Sequence, residues 1–511
     1  MSANASTANV PVIPQLSAAG PAPSGTPRGL LRFATAGSVD DGKSTLVGRL
    51  LHDSKSVLSD TLDAVNRTSA ARGLDSPDLS LLVDGLRAER EQGITIDVAY
   101  RYFATGVRSF ILADTPGHVQ YTRNTITGAS TADLVIILVD ARTGVVAQTR
   151  RHAAVAALLG VPHLLLAVNK IDLVDFDESV FDRIAAEFDR YAVDLGIGEI
   201  TAIPVSALHG DNIVTRSERI DWYTGPSILE HLEQVELDAP DAVDFTATDV
   251  PATGSAAIAD ISRQLRFPVQ YVIRPRSERY PDYRGYAGRI TAGTVRPGDE
   301  VVVLPSGRRT VVTTIDTADG ALEVARAGDS VTLLLADDVD LSRGDLISGI
   351  AQAPDPVTEF SATVTQLAEK GLRAGLRALL RYGTATYRVV VSSIDHLLDI
   401  DTLSELEPPV ALQLNDIASV TLRTADPVPV EPFRPGGAVG SLLIIDAADG
   451  TTLAAGMVGD RRAAVRGVQA GPAAGQEIPR CRPDSDLLPP GTASEPREVA
   501  VPSNSFLTPG P

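Results

Sequence analysis

Five short runs in the first half of the chain carry residue types and spacings that could do chemistry together on one ligand. The first is Gly37, Ser38, Val39, Asp40, Asp41, Gly42, Lys43, Ser44 and Thr45. It has the form G-x-x-x-x-G-K-[ST], whose glycines let backbone N–H groups approach phosphates closely. Lys43 then reaches the β- and γ-phosphates, Ser44 ligates Mg2+, and the helix opening at Lys43 adds the positive end of its dipole. The second run, Asp114, Thr115, Pro116, Gly117 and His118, follows an apolar stretch. A carboxylate ending such a stretch has no packing purpose, so Asp114 is assigned to Mg2+, directly or through water. Gly117 allows close approach to the γ-phosphate, and His118 is the candidate for orienting the attacking water.

Thr95, within Gln92-Gly93-Ile94-Thr95-Ile96, supplies a hydroxyl able to complete the Mg2+ shell when the γ-phosphate is present. Its release on hydrolysis is the order–disorder step of GTPase switches. Asn169, Lys170 and Asp172 form N-K-x-D after another apolar run. The two acceptor oxygens of Asp172 match the paired N1–H and 2-amino donors of guanine, which adenine lacks, while the stem of Lys170 covers the base. Ser206, Ala207 and Leu208 supply loop support and a backbone N–H for the guanine O6. Lys43, Thr95 and His118 are thus the expected catalytic set, and Ser44, Thr95 and Asp114 the expected metal ligands. His152, His163, His209 and His231 lack ligand spacing and read as structural. Asp53, Asp60 and Asp84 read as solvated charges without partners.

Such loops need a scaffold that brings them to one edge. Apolar runs at 30–36, 109–113, 134–140, 164–169 and 200–206 read as buried strands. Helical spacing at 44–52, 148–159 and 179–194 lies between them. Strand–helix alternation predicts a mostly parallel sheet covered on both faces, an α/β P-loop domain over residues 28–237. Residues 238–262 read as a linker or insertion. Short strands with turns such as Arg296-Pro297-Gly298-Asp299 then predict one small β-barrel over 263–352 and another over 353–460. Residues 1–27 and 461–511, rich in Ala, Pro and Gly, read as disordered tails.

The bulk numbers narrow the class. The 511 residues are 44 % hydrophobic and 22 % charged, as in ordinary globular proteins, and long enough for about three domains. The net charge of −20 argues mildly against nucleic acid as a partner. One cysteine, Cys481, excludes an intramolecular disulfide and fits a cytoplasmic location. No run is long enough to span a bilayer, and the N-terminal stretch lacks the pattern of a signal peptide.

A GTPase domain followed by two barrels resembles the translation-factor superfamily typified by elongation factor Tu. Finer features are similar to one branch, the large GTPase subunits of bacterial sulfate adenylyltransferases. They include Asp41 where translation factors carry histidine, and the run from Asp84 through Gln92-Gly93-Ile94-Thr95 to Phe103. Gln120-Tyr-Thr-Arg-Asn124, Thr127 to Asp133, Gln148-Thr-Arg-Arg-His152, Asp221-Trp222-Tyr223 and Arg266-Phe-Pro-Val-Gln-Tyr271 continue the match. The resemblance spans about residues 30–458. It implies a heterodimer with a small catalytic subunit that holds the ATP and sulfate chemistry, with GTP hydrolysis driving the uphill formation of adenosine 5′-phosphosulfate and pyrophosphate. No second P-loop occurs, so no fused adenylylsulfate kinase activity is expected. Val119 departs from the family, whose members carry an acidic residue there; the 238–261 join looks long and 432–440 compressed. A translational or tRNA-delivery GTPase is the competing reading; Asp41, the Trp222 region and the acidic balance weigh against it.

Overall fold

In the computed structural model the chain is described at residues 28–55, 59–71, 77–82, 98–118, 122–197, 200–237, 264–275, 282–434 and 439–459. All belong to one unit, Met1–Gln469. Thr95, Val119, Asp84, the 238–261 join, Cys481 and both tails lie outside the described residues.

The first sheet has six strands: β1 (Arg28–Gly37), β2 (Ala99–Ala104), β3 (Arg108–Asp114), β4 (Leu134–Asp140), β5 (His163–Asn169) and β6 (Ile200–Pro204). Their order is β2-β3-β1-β4-β5-β6. Five run parallel, as the alternation predicts. The sixth, β2, was not foreseen as a strand and pairs antiparallel with β3 at the edge. Its alternating exposed Tyr100 and Tyr102 have the period-2 signature of a half-covered edge strand.

Side chains of alternating parity feed two separate cores. Leu134, Ile136 and Leu138 pack with Leu46, Val47 and Leu50 of α1 (Lys43–Asp53) and Ile228 and Leu232 of α6 (Ile228–Gln234). Val135, Ile137 and Val139 face α4 (Ala147–Leu159) and α5 (Glu178–Asp194). Two more, α2 (Ser59–Ala71) and α3 (Thr122–Ala129), complete the α-helices among the described residues. The consequence for function is geometric. Every parallel strand ends at the same edge of the sheet, so the loops after β1, β3, β4, β5 and β6 converge there.

Residues 264–349 and 357–459 form two antiparallel barrels. Each closes through six strands: Glu300–Leu304 pairs with Arg308–Thr317 in the first, Arg377–Tyr382 with Ala385–Leu398 in the second. An ion pair joins them. Arg266, 1 % exposed, donates to both Glu431 oxygens at 2.7 and 2.9 Å, to Ser348 Oγ at 3.1 Å and to the Gln352 carbonyl at 2.7 Å. A buried guanidinium is stable only with such a full set of acceptors. The second barrel also meets the GTPase domain. Arg150 of α4 contacts Asp401 at 3.1 Å and Glu187 at 3.2 Å, and the Tyr191 hydroxyl donates to the Ile400 carbonyl at 2.7 Å.

Candidate functional site

At the convergent edge, β1 runs into the glycine-rich loop and α1 begins at Lys43. Gly42 has φ +91°, and a Cβ there would lie 2.4 Å from Asn169 Nδ2. Only glycine allows both that backbone turn and that neighbour. Asp40 is also left-handed, at φ 65°. Asp41 folds inward, its carboxylate accepting from the Ser38 N–H at 2.5 Å. Burial pushes its pKa up, against the lowering pull of Lys43. The Lys43 ammonium donates to the carbonyls of Gly37 at 2.9 Å and Ser38 at 2.7 Å. Burial lowers its pKa, opposed by the carboxylates of Asp41 and Asp114. Val39 stands exposed at the loop tip, and Ser44 is half-buried in the first turn of α1.

The loop after β3 closes over the same ammonium. Asp114 is fully buried, one oxygen accepting from Thr35 Oγ1 at 2.8 Å, and Thr115 Oγ1 donates to the Thr35 carbonyl at 2.6 Å. Pro116 offers its carbonyl to Thr125 Oγ1 at 3.4 Å. A Cβ on Gly117 would lie 2.3 Å from Lys43 Nζ and 2.9 Å from the Gly37 and Ser38 oxygens. The loop can pack this closely on the phosphate loop only because residue 117 has no side chain. His118 follows, half-buried.

Asn169 is the joint between phosphate loop and base loops. Its Nδ2 donates to the Asp41 carbonyl at 2.7 Å, and its Oδ1 accepts from the Ala207 N–H at 2.9 Å. Lys170, left-handed at φ 61°, turns back to donate to the Asp40 carbonyl and to reach Asp140 Oδ2 at 3.0 Å. Asp172 keeps a largely covered carboxylate, with His209 Nε2 at 3.8 Å. Ser206 is buried and accepts from the His209 N–H at 3.4 Å, while Leu208 is exposed at the loop tip. Among the described residues, the predicted positions in four runs meet at one place.

Sequence reasoning missed three residues here. Asp140 ends β4 as Asp114 ends β3, so the argument applied to Asp114 finds it too. It accepts from Arg142 at 2.9, 3.0 and 2.6 Å. Burial would raise its pKa, but the Arg142 and Lys170 donors outweigh this and hold it at about 2. Arg49 of α1 donates to the carbonyls of Ala207 at 3.3 Å and Leu208 at 2.5 Å, tying the base loop to the phosphate-loop helix. One expectation is corrected: Asp53 is not an unpartnered solvated charge. It lies 2.6 Å from His52 Nδ1 and 3.7 Å from Arg49, because α1 puts residues 49 and 53 on one face. His152 is buried, as a structural histidine, its Nε2 2.9 Å from Gln148 Nε2.

Fold and site together define a P-loop GTPase of the elongation factor Tu architecture, one α/β domain carrying two closed barrels. The elongation factor Tu GTP binding domain family matches residues 28–244, elongation factor Tu domain 2 matches 286–348, and the GTP-eEF1A C-terminal domain-like family matches 359–459. Sulfate adenylyltransferase subunit 1 of Laribacter hongkongensis is 48 % identical over 433 residues, 84 % of this chain and 85 % of that one. The protein of the same name from Bacteroides fragilis is 47 % identical over 434 residues, covering 84 % and 86 %. The bifunctional enzyme CysN/CysC of Mycobacterium tuberculosis is 50 % identical over 430 residues, 84 % of this chain and 67 % of that protein. The chain belongs to the sulfate adenylyltransferase subunit 1 family.

Proposed function

We propose that this chain is the GTP-hydrolysing subunit of a two-chain sulfate adenylyltransferase of the cytoplasm. A separate small subunit carries the adenylyl transfer from ATP to sulfate, and GTP turnover here drives that uphill step. The observation that carries the nucleotide reading is Asn169, which joins the phosphate loop to the 206–208 loop and so makes one pocket of two half-sites. The identity to subunit 1 proteins carries the assignment to sulfate activation.

The residues fit GTP and Mg2+. The backbone from Gly37 to Thr45 forms a cradle at a helix N-terminus, where N–H groups and the helix dipole favour phosphate oxygens. Lys43 balances phosphate charge. Gly117, without a side chain, lies directly against that ammonium, where its backbone can approach the terminal phosphate. Ser44, Asp114 and Thr95 are the metal-binding set, Asp114 being held in orientation by Thr35. When bound, Mg2+ offsets charge on the β- and γ-phosphate oxygens during transfer. His118 orients water at the γ-phosphate. Asp172 reads the guanine edge, Lys170 lies along the base, and Ala207 offers its N–H to the guanine O6 from a loop fixed by Asn169 and Arg49.

No helix among the described residues is long and apolar enough to cross a membrane. The family resemblance supports the first barrel and the switch segments as the partner-facing surfaces. Because binding energies are linked, a nucleotide state that favours the partner's activated form must itself be favoured by that form. The nucleotide reading is tested by competition between GTP, xanthosine triphosphate and ATP for the purified chain. Asp172→Asn should exchange guanine for xanthine preference, since the amide presents a donor where xanthine presents a carbonyl. An unchanged preference contradicts the role of Asp172.

A further inference from the structure

The buried carboxylate of Asp140 belongs to none of the five nucleotide-binding runs, yet it sits beside the base-reading loop. Asp140 ends β4 in register with Asn169 of β5, so its side chain reaches the start of the 170–172 turn. It is 4 % exposed and has two cationic partners. Arg142 closes on it from the same loop through Nε at 3.0 Å and Nη2 at 2.6 Å. Lys170 meets it at 3.0 Å and also donates to the Asp40 carbonyl. The backbone at Lys170 is left-handed, and its side chain turns back to the phosphate loop. The Arg142 guanidinium is half exposed and close enough to Asp172 to feel its charge.

Resting on the guanine-pocket reading above, we infer that Asp140, with Arg142, is a positioning residue for base selectivity: it anchors the Lys170 ammonium so that the Asp172 carboxylate stays available to guanine. The physical argument is competition between charges. An ammonium released from Asp140 is free to pair with another carboxylate, Asp172 two residues on among them, and a carboxylate already paired is a poorer acceptor for the N1–H and 2-amino donors of a base. Asp140 supplies the anchor, and Arg142 fixes its orientation through a two-point contact. Bound this way, Lys170 spans Asp40 and Asp140, so phosphate loop, base loop and β4 share one cation. The clamp acts on base reading, not on phosphate binding.

The test compares GDP with IDP, whose base lacks the 2-amino group, by calorimetric titration of the full chain, its Asp140→Asn and Arg142→Ala variants, and Lys170→Met with and without Asp140→Asn. Losing one charge-assisted contact at Asp172 corresponds to about a tenfold loss of affinity. Asp140→Asn should therefore weaken GDP about tenfold and IDP by less than about threefold, lowering the ratio of the two affinities. Arg142→Ala, at a half-exposed position that folding tolerates, should shift the ratio in the same direction by a smaller factor. In the Lys170→Met background, Asp140→Asn should leave the ratio within about twofold, because its effect passes through Lys170. General destabilisation lowers the fraction of active protein without changing the ratio. Wild-type preference for GDP with an unchanged ratio in both Asp140→Asn and Arg142→Ala overturns this inference alone. Wild-type protein that binds GDP, IDP and ADP alike overturns the guanine reading and this inference with it.

Discussion

Replacing Asn169 with alanine tests whether phosphate loop and base loops are a single construction. Asn169 is 2 % exposed and makes two hydrogen bonds, to the Asp41 carbonyl at 2.7 Å and from the Ala207 N–H at 2.9 Å. Truncation leaves both backbone groups without that partner in a water-poor place. Each such loss costs about 1–3 kcal/mol, so the GTPase domain should lose about 2–6 kcal/mol before any nucleotide is added. The single tryptophan, Trp222, reports on this domain alone. It donates to the Phe176 carbonyl at 2.9 Å and packs 5.4 Å from the Phe181 ring. Urea unfolding followed by its fluorescence should show the midpoint falling by roughly 1–3 M, taking a slope near 2 kcal/mol per M. Asn169→Asp separates the halves: it keeps an acceptor for Ala207 but sets a carboxylate against the Asp41 carbonyl. It should bind guanine nucleotide far more weakly than wild type. A midpoint in Asn169→Ala within about 0.2 M of wild type refutes the joint, because the two bonds would then hold nothing.

Other consequences follow from the same structure. Arg266→Met should destabilise the barrels by about 3–5 kcal/mol in calorimetry, since it removes the two-point partner of buried Glu431 and leaves only the Arg434 contact at 3.3 Å; adding Glu431→Leu should recover most of the loss. Burial, aided by the charges of Lys43 and Arg151, holds the pKa of His152 down at about 3. The unfolded chain takes up that proton near pH 6.5 and the folded chain does not, so stability drops as pH falls below 6.5. Between pH 7 and pH 5 the loss is about 2 kcal/mol, and His152→Gln should remove that part of the slope in urea titrations at each pH. His118→Ala should slow GTP hydrolysis by about 100-fold in single turnover with little change in GTP affinity; a normal rate would assign water orientation to another group.

The GTPase sheet was legible because its strands are apolar runs and each run ends in a recognisable loop. The run 134–140 coincides with β4, and 164–169 starts one residue after β5 does. The edge strand β2 escaped notice because Tyr100 and Tyr102 alternate with half-buried neighbours, which is no continuous apolar signal. Closure of the barrels was less visible than their existence. It depends on which distant strands pair, as Glu300–Leu304 with Leu346–Gly349, and local turn chemistry does not encode that. At the site, residues inside contiguous runs were found from spacing alone. Asp140 and Arg49 were not, because partners of theirs lie in other loops: Lys170 is 30 residues from Asp140, and Ala207 is 158 from Arg49. Arg142 went unnoticed with Asp140, its partner two residues away. The Arg266–Glu431 pair, 165 residues apart, is the same kind of omission. Charges that act across the fold leave no periodic trace in the chain.

The central claim, that GTP turnover on this chain drives sulfate activation on another, is tested most directly by one measurement. Adenosine 5′-phosphosulfate formation and GTP hydrolysis are followed together, with this chain alone, with a purified small subunit alone, and with both. Product that forms in quantity only with both chains, rises on adding GTP, and falls with Asp172→Asn unless xanthosine triphosphate replaces GTP is the result predicted. GTP hydrolysis that proceeds in the mixture while sulfate activation never responds to it would contradict the account.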